Sequence, residues 1–134
     1  MSRENVELVR SIYAAWERGD YSSAEWAHPE IEYVIADGPA PRSSVGLTEM
    51  VEGVRDALSA LAEVRQKAEE YRELVEERVL VLHQRSGRGK TSGLQLGDIQ
   101  ARGADVFHLH EGRVTRLVSY FDRRRAFADL GLSE

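Results

Sequence analysis

From Arg78 to Phe121 the chain alternates strand-forming runs with tight turns, and that rhythm most limits what it can fold into. Arg78-Val79-Leu80-Val81-Leu82 is a plain strand that continues to Gln84. The glycine-rich stretch from Ser86 to Lys90 then reads as a hairpin connection rather than a linker. Leu94 to His110 is a long second strand, with Gly97 and Gly103 as bulge or bend points. Glu111-Gly112 makes another tight turn, from which Val114 to Phe121 returns antiparallel. Asp122 caps a short final helix that ends near Leu130-Gly131. A meander of this kind buries one face only if another layer packs against it.

The N-terminal part offers that layer. Val6, Val9, Tyr13 and Trp16 recur at helical spacing, with Leu8 and Ile12 beside them, so a helix is predicted from Ser2 to Gly19. A second short helix is expected from Ser22, ended by Pro29. Ile31 to Ile35 alternates and reads as a strand, and residues 37–46 read as a loop. Thr48 caps a third helix carrying Val51, Val54, Leu58 and Leu61. Residues 62–76 have strong helix propensity and would locally prolong that helix, yet the strand from Arg78 needs a partner. The element order predicts an α+β fold with helices covering one face of a curved antiparallel sheet.

Composition narrows the chemistry. A chain of 134 residues suits one domain, here 1–134. With no cysteine, disulfides, thiolate catalysis and Cys-ligated metals are excluded. Twenty-three acidic against 18 basic residues argue against nucleic acid as the main partner. No apolar run approaches the roughly 18 residues of a membrane span, and the charged start MSRENVELVR lacks a signal-peptide core. A cytoplasmic protein with no membrane partner is expected.

Three patterns look sharper than they are. Gly89-Lys90-Thr91 suggests a phosphate loop, but Gln84 stands where the pattern needs glycine, and strand-like LQLGDIQ follows instead of a helix. His108 and His110 share a strand face, without an evident third ligand, so no metal site is assigned and the outer face of the sheet is their expected place. Arg123-Arg124-Arg125 sits at a helix start, where the dipole disfavours cations; the run is either solvated or partnered by acidic groups of a neighbouring subunit.

ENVELVRSIYAAWERGD, AHPEIEYV, VGLTEMVEGVRDAL and the C-terminal GRGKTSGLQLGDIQARGADVFHLHEGRVTRLVSYFDRRRAFADLGL carry a resemblance over the whole chain. It resembles the nuclear transport factor 2-like superfamily and, within it, the SnoaL-like (polyketide cyclase-like) domains. The resemblance implies a cone-shaped apolar cavity enclosed by the sheet, three N-terminal helices and a short C-terminal helix. It also favours a strand from Val64 to Val75, no cofactor, and a homodimer through the outer sheet face, where Val106, His108, Val118 and Tyr120 would lie.

Residue by residue, the resemblance places Asp105 where ketosteroid isomerases keep an oxyanion-hole acid and SnoaL itself has a pocket histidine. Among Phe107, Val34 and other apolar groups, burial favours its protonated, donating form; the alternative is an Asp paired with Arg102 or set at a bulge. The isomerase base falls on Val34, the cyclase base on Ser119, and the isomerase phenol on Ile12 rather than the adjacent Tyr13. Neither Val nor an unassisted Ser removes a carbon-bound proton at neutral pH. Two substitutes are available. Glu32 shares a strand face with Val34 and is either a cavity base or a salt-bridged surface acid. His83 has a near-neutral intrinsic pKa but lies beside a turn, where histidines are commonly exposed. Tyr13, Trp16, Val34, Phe107, Ser119 and Phe121 are the expected lining. Two functions follow: a small-molecule-binding domain anchored by Asp105, or an isomerase, cyclase, lyase or hydrolase. The second would act on a hydrophobic, oxygenated substrate of polyketide, terpenoid or steroid type, with Asp105 as donor and Glu32 or His83 as base.

Overall fold

The structure, a computed structural model, describes residues 2–18, 25–37, 41–52, 61–89 and 98–132. Helix α1 spans Ser2–Glu17, and residues 47–52 form a helical segment, α2. The strands are β1 (Ala27–Ile35), β2 (Arg42–Val45), β3 (Leu61–Leu74), β4 (Arg78–Gly89), β5 (Asp98–His110) and β6 (Arg113–Tyr120). Helix α3 (Arg123–Leu130) closes the described chain. The strands form one sheet in the order β2-β1-β6-β5-β4-β3.

The C-terminal meander folds as the sequence pattern predicts. Glu111 and Gly112 take φ values of +50° and +77°, the left-handed pair that a two-residue hairpin turn requires. Asp122 caps α3 by accepting from the Arg124 amide at 3.0 Å, and Gly131 ends it in the left-handed region. Residues 62–74 are strand, as the resemblance favours. Helix propensity loses there because β3 pairs with β4 from Leu61↔Gly89 to Leu74↔Arg78, and a ladder of that length outweighs a per-residue preference. Its many charged residues suit an edge strand.

Several expectations are corrected. The sheet is mixed: β1 runs parallel to β6. Pro29 does not end a helix but lies inside β1, between the pairs Ala27↔Val114 and Glu32↔Arg116, where the ladder is interrupted and its missing N–H costs no bond. Residues 42–45 are an edge strand against β1 rather than loop. Gly46, not Thr48, opens α2, since its carbonyl accepts from the Met50 amide at 3.0 Å. Ser86 to Gly89 extend β4 where a turn is expected, residues 27–29 of the expected second helix begin β1, and Leu61 opens β3 instead of closing the third helix; Lys90, residues 22–24, Val54 and Leu58 fall outside the described residues.

Helices cover both faces, not one. On the first face α1 buries Val9, Ile12 and Tyr13 against Val79, Val81, Phe107 and Leu117. Each such fully buried aliphatic side chain contributes about 1.5–3 kcal/mol. On the second face α3 buries Ala126 and Phe127 against Leu80, Leu82, Ala104 and Val106. Val106, Val118 and Tyr120, expected as a dimer surface, are therefore buried within the protomer. No helix among the described residues is long and apolar enough to cross a membrane.

Candidate functional site

Strand pairing sorts the candidate residues onto faces. Ile35, Ser119, Asp105, Val81 and Tyr71 form one cross-strand row on the α1 face. Val34, Val118, Val106, Leu80 and Arg72 form the next row, on the α3 face. Paired residues project to the same side of a sheet and successive ones to opposite sides. Asp105 and Val34 are thus separated by the thickness of the sheet.

Three polar side chains converge on the α1 face. Asp105 is 2% exposed and accepts a hydrogen bond from the Tyr13 hydroxyl through Oδ2. His83 is also 2% exposed, and its Nε2 lies 3.6 Å from the same Asp105 oxygen. Val79, Val81 and His83 share a parity on β4, so the apolar alternation that buries the valines carries the imidazole inward with them. A buried imidazole needs one acceptor and one donor partner when neutral. Neither His83 nitrogen has a hydrogen-bond partner among the described residues. Each such unmet group costs about 1–3 kcal/mol when buried, which a ligand or water would recover.

The surroundings are aromatic. The Tyr13 ring packs against Trp16, Tyr71 and Phe107 at centroid distances of 5.1, 6.1 and 6.0 Å. Trp26 meets Trp16 and Phe107 at 6.0 and 6.5 Å. Phe107 is fully buried, whereas Trp16, Ser119 and Phe121 are half-buried. Burial raises the Tyr71 phenol above its usual range, and Glu17 adds to the effect.

The sequence-predicted residues divide accordingly. Asp105, His83, Tyr13, Trp16, Phe107, Ser119 and Phe121 lie on the α1 face. Val34 and Glu32 do not, which corrects their assignment to a shared cavity. Ile31, Tyr33 and Ile35 point inward instead, in unbroken parity with Ala27. Glu32 is 46% exposed and pairs with Arg116 at 3.2 Å. It is the salt-bridged surface acid. Beside that pair, His108 is held below its usual pKa by burial first and then by Arg116 and Arg78. His110 lies at the sheet's end, near Glu77 and Glu111.

Sequence reasoning named Tyr13 and His83 but missed the bond of Tyr13 to Asp105 and the burial of His83. The phenol facing the site is Tyr13 itself, while Ile12 is core. His83 is buried because β4 runs past it to Gly89, so it is no longer beside a turn. The parity of Val79, Val81 and His83 was the available signal. A separate hollow of about 490 Å³ lies on the other face beside Val34, Arg42, Arg116, Tyr120 and Asp129.

No family model matches the sequence, and no curated protein matches it significantly. Solved structures do match in three dimensions. An NTF2-like protein of unknown function from Burkholderia pseudomallei superposes with a TM-score of 0.75, at 22% identity over 93% of this chain and 95% of that one. A candidate SnoaL-like polyketide cyclase from Jannaschia sp. CCS1 gives 0.75 at 12% identity, over 99% and 95% of the two chains. The chain has the nuclear transport factor 2-like fold. A third structure with this fold, TerC co-crystallised with polyporic acid, gives 0.72 at 23% identity, over 95% and 97%. At these identities the likeness establishes the NTF2-like fold alone, and the chemistry rests on the residues above.

Proposed function

We propose that this protein binds an apolar, oxygenated small molecule in a cavity between α1 and the sheet, with Asp105 and His83 as its polar anchors. The observation that carries the proposal is the buried Tyr13–Asp105–His83 cluster, in which the imidazole has hydrogen-bonding capacity that the described protein leaves unused. Binding sites of this kind combine an apolar, aromatic wall with a few converging polar groups. Polyporic acid in TerC is an example of an oxygenated ligand held by the same fold. The resemblance also implies a homodimer. Since α3 covers Val106, Val118 and Tyr120, this reading assigns the contact to the charged row of Glu32, Arg116, His108 and Arg78.

A thermal-shift screen of apolar ketones, lactones and epoxides tests the proposal. A ligand at 100 times its Kd stabilises the folded state by about 2.7 kcal/mol. At least one class should raise the Tm of the wild type and fail to do so for Asp105→Asn. A panel without any stabilising compound contradicts the proposal.

One observation favours a catalytic second reading, the 3.6 Å approach of His83 Nε2 to Asp105 Oδ2. A carboxylate beside an imidazole orients it and stabilises its protonated form, the arrangement of a general base. In this reading His83 takes the proton and Glu32 takes no part. Turnover of a bound ketone or epoxide that His83→Gln abolishes while binding persists would distinguish the enzyme from the binding domain.

A further inference from the structure

Arg123 begins α3, where the helix dipole works against a cation. Its partners lie across the sheet. Arg123 Nη2 donates to Glu69 Oε1 at 2.6 Å and to the main-chain carbonyl of His83 at 2.9 Å. Glu69 is an extra residue in β3: Ala68 pairs with His83 and Glu70 with Leu82, so the strand bulges directly opposite His83. The Arg123 hydrogen bond holds the Glu69 carboxyl below its usual pKa.

His83 is also held from the site side. Gly103 pairs with His83 across β4 and β5. A Cβ built on Gly103 would lie 2.7 Å from His83 Cε1 and 2.4 Å from the Tyr120 carbonyl oxygen. Real side chains do not approach so closely, so glycine at this position lets the imidazole lie flat against the neighbouring strand. The backbone of residue 83 is tied to α3 on one side, and its ring rests on bare backbone on the other.

We propose that Arg123, working through Glu69 and the His83 carbonyl, is a positioning residue that sets the His83 imidazole against Asp105 from the opposite side of the sheet. This rests on the reading of His83 as a site residue, although its first test needs no ligand. The seating of α3 and the geometry of the site are then one mechanical unit. The charge-assisted contacts to Glu69 and the carbonyl hold the main chain at residue 83, and the ring follows.

The test is the His83 imidazole signal in ligand-free protein at fixed pH, assigned through His83→Gln and recorded for wild type, Arg123→Ala, Arg123→Lys and Arg125→Ala. Arg123→Ala should move the His83 Cε1–Hε1 resonance and weaken its NOE to the Gly103 α-protons. Arg125→Ala, a charge loss on the same helix, should leave both in place. Arg123→Lys should restore most of the signal, because an ammonium can still donate to both oxygens. If Arg123→Ala does not fold, Glu69→Gln takes its place, with Arg123→Lys as the near-wild-type reference: a His83 signal displaced in Glu69→Gln supports the proposal, and an unmoved one overturns it. An unmoved His83 resonance in folded Arg123→Ala also overturns it. A ligand found by the screen should bind several-fold more weakly to Arg123→Ala; failure of every compound to bind wild type would contradict the proposed function, while leaving the His83 signal to decide this inference.

Discussion

The two faces of the sheet are made from alternate residues of the same strands, yet they bury different chemistry. The face under α3 holds Leu80, Leu82, Ala104 and Val106, with Tyr120 as its phenol, satisfied by Asp129 at 3.0 Å. The face under α1 holds Val79 and Val81 but also His83 and Asp105, buried beside Tyr13. A fold selected only for stability gains little from the second arrangement, because buried polar groups cost free energy that apolar neighbours do not. Rule-breaking of this sort concentrates at functional sites. The comparison therefore separates a face that holds the fold together from a face that gives up stability to bury a polar cluster, the proposed site.

The largest expected effect breaks the stability face. Leu80→Ala removes a fully buried side chain under α3 and should cost about 2–5 kcal/mol in denaturant unfolding. The protein that remains folded should keep its ligand affinity. Next, Tyr13→Phe removes the donor to Asp105 and should cost about 1–3 kcal/mol, with weaker ligand binding. Tyr13→Phe combined with Asp105→Leu should recover much of that stability while binding stays lost, because both members of the polar pair are then gone. Recovery of stability together with binding would contradict the division of labour.

Much of this division was legible in the sequence, and the exceptions have physical causes. The meander, the Glu111-Gly112 turn and the Asp122 cap follow from local chemistry, and Asp105 was singled out by the resemblance. β3 was ambiguous because its residues favour helix and only pairing with β4 decides against it. Glu32 and Val34 were misplaced because their site roles were carried over from the resemblance, whereas the alternation of the run itself puts Ile31, Tyr33 and Ile35 on the buried face. A one-residue shift in parity exchanges the faces of every side chain in a strand. Tyr13 and Asp105 are distant in sequence, so only the docking of α1 unites them.

Two smaller effects sharpen the comparison. Burial, with Asp129 adding to it, pushes the Tyr120 phenol up to about 12 from an ordinary 10.0. The folded state then holds this proton more tightly than the unfolded chain does. Stability is fully present below pH 10 and falls as pH rises from there toward 12. Tyr120→Phe should lower stability by about 0.5–1.5 kcal/mol at neutral pH and flatten the alkaline loss, seen in urea midpoints across that range. Smallest of all, Glu32→Gln breaks an exposed ion pair and should change stability by no more than about 1 kcal/mol, leaving ligand binding untouched. Loss of binding in Glu32→Gln would return β1 to the site.

The most direct test of the central claim is amide chemical-shift mapping with whichever compound stabilises the protein. The α1 face predicts that the shifted resonances cluster at Tyr13, His83, Asp105 and Ser119. A cluster at Val34, Arg42, Val118 and Asp129, around the hollow on the other face, would contradict it.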